Sequence, residues 1–222
     1  MPLLYDEEVR IFWTLCGSDN NNAYLLVCPQ TGESIIIDAP LNPGKLLEDA
    51  KGTQVKAILI THKHRDHLEG LKEITDATGA PVAAHRDDAA DMPVPPNVLL
   101  SDGDTIRAGT IEVKVIHTPG HTPGSVCYLA GRHLFSGDTL YAQWLGESRG
   151  VEATQQIIRS VTEKLYVLPD DTLLFPGHGR GSFLGAAKKE YRVVAAQYPE
   201  LFPPIPDLPP SHPPTLEGHD DL

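Results

Sequence analysis

The chain has 222 residues, 41% of them hydrophobic, and a formal net charge of −12 with a pI of about 5.2. That length accommodates one domain with a sizeable core, or two intimately packed halves. The acidic balance argues against nucleic acid or anionic lipid as the main partner, because both select a basic face.

The N-terminal stretch MPLLYDEEVRIFW carries acidic residues where a secretory leader needs basic ones, and no apolar run in the chain is long enough to span a bilayer, so a cytoplasmic location is expected. VRIFWTLC, AYLLVC and SIIID read as strands, with GSDNNN as the loop between the first two. NPGKLLEDAKG reads as a short helix opened by Pro43 and Gly44. VKAILIT is a strand apolar enough to be buried on both faces. It runs straight into HKHRDHLEGLKEITDATG, whose second half has helical spacing (Leu68, Leu71, Ile74) and stops at Gly79. PVAAH is another short strand.

MPVPPNVLLSDGD reads as a loop and places the junction between two halves near residue 100. TIEVKVIHT, SVCYLA and HLFSGD then form a meander. VEATQQIIRSVTEKLYVL has the length of a helix of about four to five turns. TLLFPGHG is a strand ending in glycine, and SFLGAAKKEYRVVAAQ is a final helix. From Pro199 onward the chain is proline-dense and reads as an extended tail, in which Leu201, Phe202 and Ile205 could lie against the body. Cys16, Cys28 and Cys127 are too few and scattered for a disulfide framework, and read as small buried apolar residues in a reducing compartment.

The chemistry is concentrated in Thr61-His62-Lys63-His64-Arg65-Asp66-His67, where a strand gives way to a helix. Metal ligation needs such crowding, because imidazole nitrogens and carboxylate oxygens must converge at about 2.0–2.2 Å. His62 and His64 are two apart in extended chain and leave on the same side. Asp66 and His67 address a neighbouring spot. His121 in HTPGHTPGS, Asp138 in LFSGD and His178 in FPGHG sit at strand ends or tight turns and complete a candidate set. His117 reads as a residue holding the His121 turn by hydrogen bonds, with His85 a supporting neighbour. His133, His212 and His219 read as surface or tail residues. No G-x-S-x-G pattern offers a serine nucleophile.

T-H-x-H-x-D-H, H-T-P-G-H-T-P-G-S, S-G-D-T-L and P-G-H-G, in this order, resemble the metallo-β-lactamase superfamily, from about Ala23 to about Lys189. The resemblance implies an α/β (α+β) fold, the αββα four-layer sandwich of two mixed β-sheets flanked by helices. It implies a metallo-β-lactamase-like domain over residues 1–198 and a proline-rich tail over 199–222. It implies two divalent metal ions, with zinc expected and iron or manganese suited to the same donors. His62, His64 and His121 would hold one ion, Asp66, His67 and His178 the other, and Asp138 would bridge them.

True β-lactamases of the superfamily lack that bridging aspartate, whereas glyoxalase II-like, lactonase-like and persulfide dioxygenase-like members carry it. The implied activity is glyoxalase II-like hydrolysis of a thioester or small ester by a metal-bridged hydroxide. Asp66 would orient the nucleophile, and Tyr141, three residues after Asp138, is the candidate donor to the developing oxyanion. A mononuclear iron persulfide dioxygenase and a lactonase are the alternatives; YAQWLGESRG, after Asp138, does not match the glycine-arginine-aspartate cluster of the dioxygenases. Full glyoxalase II adds a helical domain with basic residues for glutathione. Here a single predicted helix stands in that place, and Arg149, Lys188 and Lys189, candidate anchors for an anionic substrate, read rather as solvated surface charge. A small-molecule substrate is expected, with neither nucleic acid nor membrane as partner, and a homodimer is compatible with the chain.

Overall fold

Strands that read as unbroken apolar runs need cover on both faces, since successive side chains leave a strand on opposite sides. The computed structural model, which describes residues 3–5, 8–17 and 20–205, supplies both covers. In β4 (Glu33–Ile37), Ile35 and Ile37 enter a core between two sheets while Ile36 faces outward. β3 (Asn21–Val27) does the same with Tyr24 and Leu26 inside and Leu25 outside, and β5 (Gln54–Leu59) with Leu59 inside and Ile58 outside. Each such fully buried Ile or Leu stabilises the fold by about 1.5–3 kcal/mol relative to exposure.

The first sheet also contains β1 (Leu3–Tyr5), β2 (Arg10–Cys16), β6 (Val82–His85) and β7 (Val98–Leu100), in the order β1-β2-β3-β4-β5-β6-β7. β1 through β4 pair antiparallel, and β4 through β7 run parallel. The second sheet holds β8 (Thr105–Ala108), β9 (Ile111–His117), β10 (Val126–Ala130), β11 (His133–Gly137), β12 (Leu173–Pro176) and β13 (Ser182–Phe183), in the order β13-β12-β11-β10-β9-β8. Only β11 and β12 run parallel in it. The chain changes sheets between Leu100 and Thr105.

Helices α1 (Gly44–Ala50) and α2 (Leu71–Thr78) cover the outer face of the first sheet through Leu46, Leu71 and Ile74. α3 (Val151–Arg159) and α4 (Leu184–Gln197) cover the second through Ile157, Ile158, Leu184 and Tyr191. The layers are therefore αββα, as expected. α2 ends at Gly79, which takes the left-handed conformation (φ 66°) that stops a helix without a Cβ penalty.

Several details differ from the sequence reading. The 92–104 stretch read as a loop contains β7, whose Val98 and Leu99 are exposed, as befits a short edge strand. β8 follows it immediately. The predicted helix over 151–168 is α-helical only to Arg159; Ser160–Leu165 widens into a π turn, where Ser160 Oγ donates to Pro119 O at 2.8 Å. Ser182 and Phe183, read as helix, pair with β12 instead. After α4, Phe202 meets the rings of Tyr191 and Trp144, and Ile205 is buried, whereas Leu201 is exposed. Residues 206–222 of the tail, including His212 and His219, lie outside the described residues. Cys16, Cys28 and Cys127 are free and buried. Among the described residues no helix is long and apolar enough to cross a membrane.

Candidate metal centre

β4, β5, β9, β11 and β12 end at one edge of the sandwich, and each hands a polar side chain to the space beyond it. The edge after parallel strands is the usual place for a site, because the loops there are free to carry chemistry. His62 and His64 follow β5, and a single 3-10 turn, Arg65–His67, presents Asp66 and His67. His121 follows β9, Asp138 follows β11 and His178 follows β12.

These residues converge in three groups whose donor atoms lie within 4.8 Å of one another: His62, His64 and His121; Asp66, His67 and His178; and His62, His67 and Asp138. Within the first, His121 Nε2 and His64 Nδ1 are 2.8 Å apart. Within the second, His67 Nε2 lies 3.3 Å from His178 Nε2, and Asp66 Oδ2 lies 3.2 Å from His178 Nε2. Asp138 stands between the two. Its Oδ2 is 3.7 Å from His121 Nε2 and 3.5 Å from His178 Nε2, and its Oδ1 is 3.4 Å from His67 Nε2. All seven ligand candidates from the sequence are thus gathered in one place.

The donor set fits divalent cations. His62 Nε2 and Asp138 Oδ1 are buried polar atoms without a hydrogen-bond partner. Such an orphaned atom costs about 1–3 kcal/mol, and a cation held between imidazoles and a carboxylate satisfies both. The fixed tautomers agree. His121 Nδ1 donates to Glu147 O at 2.7 Å, which leaves Nε2 as a lone pair facing His64. Burial, reinforced by the neighbouring histidines, pushes His62 well below the ordinary histidine range, and burial lowers His64 as well. Both are held in the neutral, ligating form. The His178 hydrogen bond holds Asp66 well below the usual carboxylate range. Burial opposes ionisation of Asp138, but the neighbouring His67 outweighs it and lowers its pKa.

Residues not singled out from sequence hold these donors in place. Asp38, buried and in a left-handed conformation (φ 61°) just after β4, accepts from Thr61 N and Thr61 Oγ1, each at 2.8 Å, and from His67 Nδ1 at 2.9 Å. A carboxylate behind a ligating histidine fixes its tautomer and aims its other nitrogen. Burial works against charge on His67, yet Asp38 and Asp138 outweigh it and raise His67 to about 10.

Asn21 and Asn22, read as loop, begin β3. Asn21 Nδ2 donates to Asp66 Oδ2 at 2.8 Å, and Asn22 Nδ2 grips the His178 turn through Pro176 O and Gly179 O at 2.8 and 2.9 Å. Asp88 joins the two principal loops. It accepts from Lys63 N at 3.0 Å, Thr122 Oγ1 at 2.6 Å and Gly124 N at 2.9 Å. Two glycines allow the close approaches. A Cβ on Gly177 would lie 2.2 Å from Asp138 Oδ1, and one on Gly124 would lie 2.6 Å from the Asp88 carboxyl carbon.

Tyr141 lines the cleft beside His121, Asp138 and His178. Burial first, and the Asp138 carboxylate second, raise its phenol well above the ordinary value, so it stays a proton donor. His117 holds the His121 turn as expected, its Nε2 donating to Pro123 O at 2.9 Å. His85, Asp87 and His117 form a further donor group. The two imidazoles there stack face to face, 3.8 Å apart with planes 13° from parallel. Two stacked rings cannot aim in-plane lone pairs at one ion, so this pair packs rather than chelates. His133, read as surface, is buried and bonds Ala130 O at 3.1 Å. Lys188 is buried too, with its ammonium on Leu168 O and Asp170, and is no solvated charge.

The family model described as the metallo-beta-lactamase superfamily matches residues 16–178. A hydroxyacylglutathione hydrolase of Polaromonas sp. is 38% identical over 176 residues, which cover 77% of this chain and 66% of that one. The chain thus spans just under two thirds of the length of this curated relative. Among solved structures, the BLEG-1 B3 metallo-beta-lactamase is 30% identical with a TM-score of 0.73, covering 81% of this chain and 96% of that one. The protein TTHA1623, solved in a di-iron-bound form, is also 30% identical, with a TM-score of 0.66 and coverage of 79% and 96%.

Proposed function

Because the chain belongs to the metallo-beta-lactamase superfamily, we propose that it is a metal-dependent hydrolase of a thioester or small ester, similar to glyoxalase II. The observation that carries this reading is the placement of Asp138 between two complete donor groups. His62, His64 and His121 would hold one ion, Asp66, His67 and His178 a second, and Asp138 would be shared. Such a pair of ions supplies a deprotonated water at neutral pH and a Lewis acid for the carbonyl.

The chain's own residues then do the rest. Asp66, which also accepts from Asn21 Nδ2, would orient the attacking water by accepting its hydrogen bond. Tyr141, kept protonated, donates to the carbonyl oxygen as charge grows there. The carboxylate of Asp38 keeps the Nδ1 proton of His67 in place, so that ring cannot turn. No protein nucleophile is needed.

We propose zinc as the resident metal; iron is supported by the di-iron form of a relative, and manganese suits the same donors. A cytoplasmic location and a small-molecule substrate fit the acidic chain. The test is steady-state hydrolysis by the metal-loaded protein of hydroxyacyl thioesters, simple esters and lactones, with β-lactams as a control. Turnover of thioesters supports the reading. Failure to cleave any of these substrates, combined with oxygen uptake on a persulfide by protein holding one iron, would establish the dioxygenase alternative.

A further inference from the structure

The cleft beside the histidine cluster, about 680 Å³, is lined by Tyr141, Trp144, Leu145, Glu147 and Arg180 together with the candidate ligands His121, Asp138 and His178. Trp144 is 52% exposed, although a large aromatic ring gains most from being covered. Its loop is tied by the backbone: Tyr141 N donates to Trp144 O at 2.8 Å, Leu140 pairs with Leu145, and Gly146 N donates to Thr139 O at 3.0 Å; the indole meets the Phe202 ring in a T-shaped contact, centroids 6.0 Å apart. A half-covered aromatic on a tied loop beside a cleft is a ready anchor for an apolar group.

Arg180, two residues beyond His178, is exposed and makes no ion pair with any described carboxylate. What sets Arg180 apart is its place: it lines the cleft beside His121, Asp138 and His178 with its guanidinium unengaged by a described carboxylate. A free guanidinium is a bidentate receptor for one carboxylate. Glu147 on the same cleft disfavours a polyanion such as a nucleotide polyphosphate.

Resting on the hydrolase reading above, we infer that the substrate carries two handles besides its scissile carbonyl: an aromatic or extended apolar group that stacks on Trp144, and a single terminal carboxylate that pairs with Arg180. Neither residue belongs to the metal centre, so both act on selection rather than on the bond-breaking step.

Two matched pairs of thioesters test this. The first pair joins 3-phenylpropanoate to 3-mercaptopropionate or to its amide. The second joins benzyl mercaptan to succinate or to succinamate. The acid of at least one pair is expected to exceed its amide by about tenfold in kcat/KM, expressed in KM. Arg180→Gln is expected to erase that preference and leave the amide unchanged. Trp144→Ala is expected to raise KM for the aryl substrates and spare an acetyl thioester. Thioether analogues, which cannot be cleaved, should bind in the same order by calorimetry. Equal use of acid and amide in both pairs, or a preference that survives Arg180→Gln, overturns the inference. Absence of any hydrolysis would overturn the hydrolase reading instead, and the binding order of the thioethers would still decide the handles.

Discussion

His62, His64 and His121 bring three imidazoles and no carboxylate of their own, and burial pushes His62 and His64 toward neutrality. Asp66, His67 and His178 contain one carboxylate and have another, Asp38, directly behind. The support differs as well. The first group is assembled from two loops that Asp88 ties together through Lys63, Thr122 and Gly124. The second is braced by strand-end residues, Asn21 at the start of β3 and Asp38 at the end of β4. One group is therefore held by loop-to-loop clamping and the other by the first sheet itself. Similar donors are fixed by different means, although Asp38 also reaches the first group through Thr61 Oγ1, 3.1 Å from His62 Nδ1.

Asp138 belongs to both groups, and its loss should break the distinction altogether. Asp138→Ala is expected to lower kcat by more than about 100-fold, the upper end of what outer-shell substitutions at metal sites cost. It should weaken metal binding at both groups, as read by calorimetric titration.

Asp38→Ala sharpens the contrast. The backbone of Thr61 and the ring of His67 lose their buried acceptor, which should destabilise the fold by about 1–3 kcal/mol in chemical denaturation. Metal affinity at the second group should fall by roughly 10–100-fold, and by less at the first, which Asp38 reaches only through Thr61. Asp88→Ala is the mirror experiment. Asp88 touches backbone and a threonine rather than a ligand, so the loss at the first group is expected at the low end, about tenfold, with the second group spared. Selective loss in the wrong group, in either variant, would contradict this division of labour.

Asp102→Asn is the control, and the smallest effect. Asp102 accepts from His117 N at 2.7 Å and Lys164 Nζ at 2.9 Å. Partial burial works against its ionisation, but the Lys164 bond outweighs it and its pKa is lowered. A depressed carboxylate stabilises the fold above its unfolded pKa of about 4 and ceases to do so as pH falls through the folded value. The group is half-exposed and screened, so about 0.5 kcal/mol is expected near pH 7. Thermal melts of the variant and the parent should converge in acid, with metal binding unchanged throughout.

The two groups also differ in how far they could be seen before folding. THKHRDH supplies four of the seven donors within one short stretch, so crowding alone exposes them. His121, Asp138 and His178 each sit in an ordinary strand-end turn and become legible only as an ordered series. The αββα layering was legible through the resemblance that these motifs carry; the apolar run VKAILIT added only that its strand needs cover on both faces. The braces were not. Asp38 closes the run SIIID and looks like any residue ending a strand; its role depends on β5 ending beside it. Asn21 looked like loop because three asparagines in a row read as turn chemistry. Asp88 and Arg180 are defined by what lies across space from them. The π turn begins at Ser160, whose hydroxyl bonds a carbonyl 41 positions away, a contact no local pattern reveals. β7 and β8 are short, and strand periodicity needs more residues than they offer.

The most direct measurement is the number of ions the protein binds, by elemental analysis of metal-loaded parent and Asp38→Ala protein after exhaustive dialysis. Two ions per parent chain, and one in the variant, is the result expected of two donor groups sharing Asp138. A single ion per parent chain under saturating metal would contradict it, and would leave the second group as polar packing around a mononuclear centre.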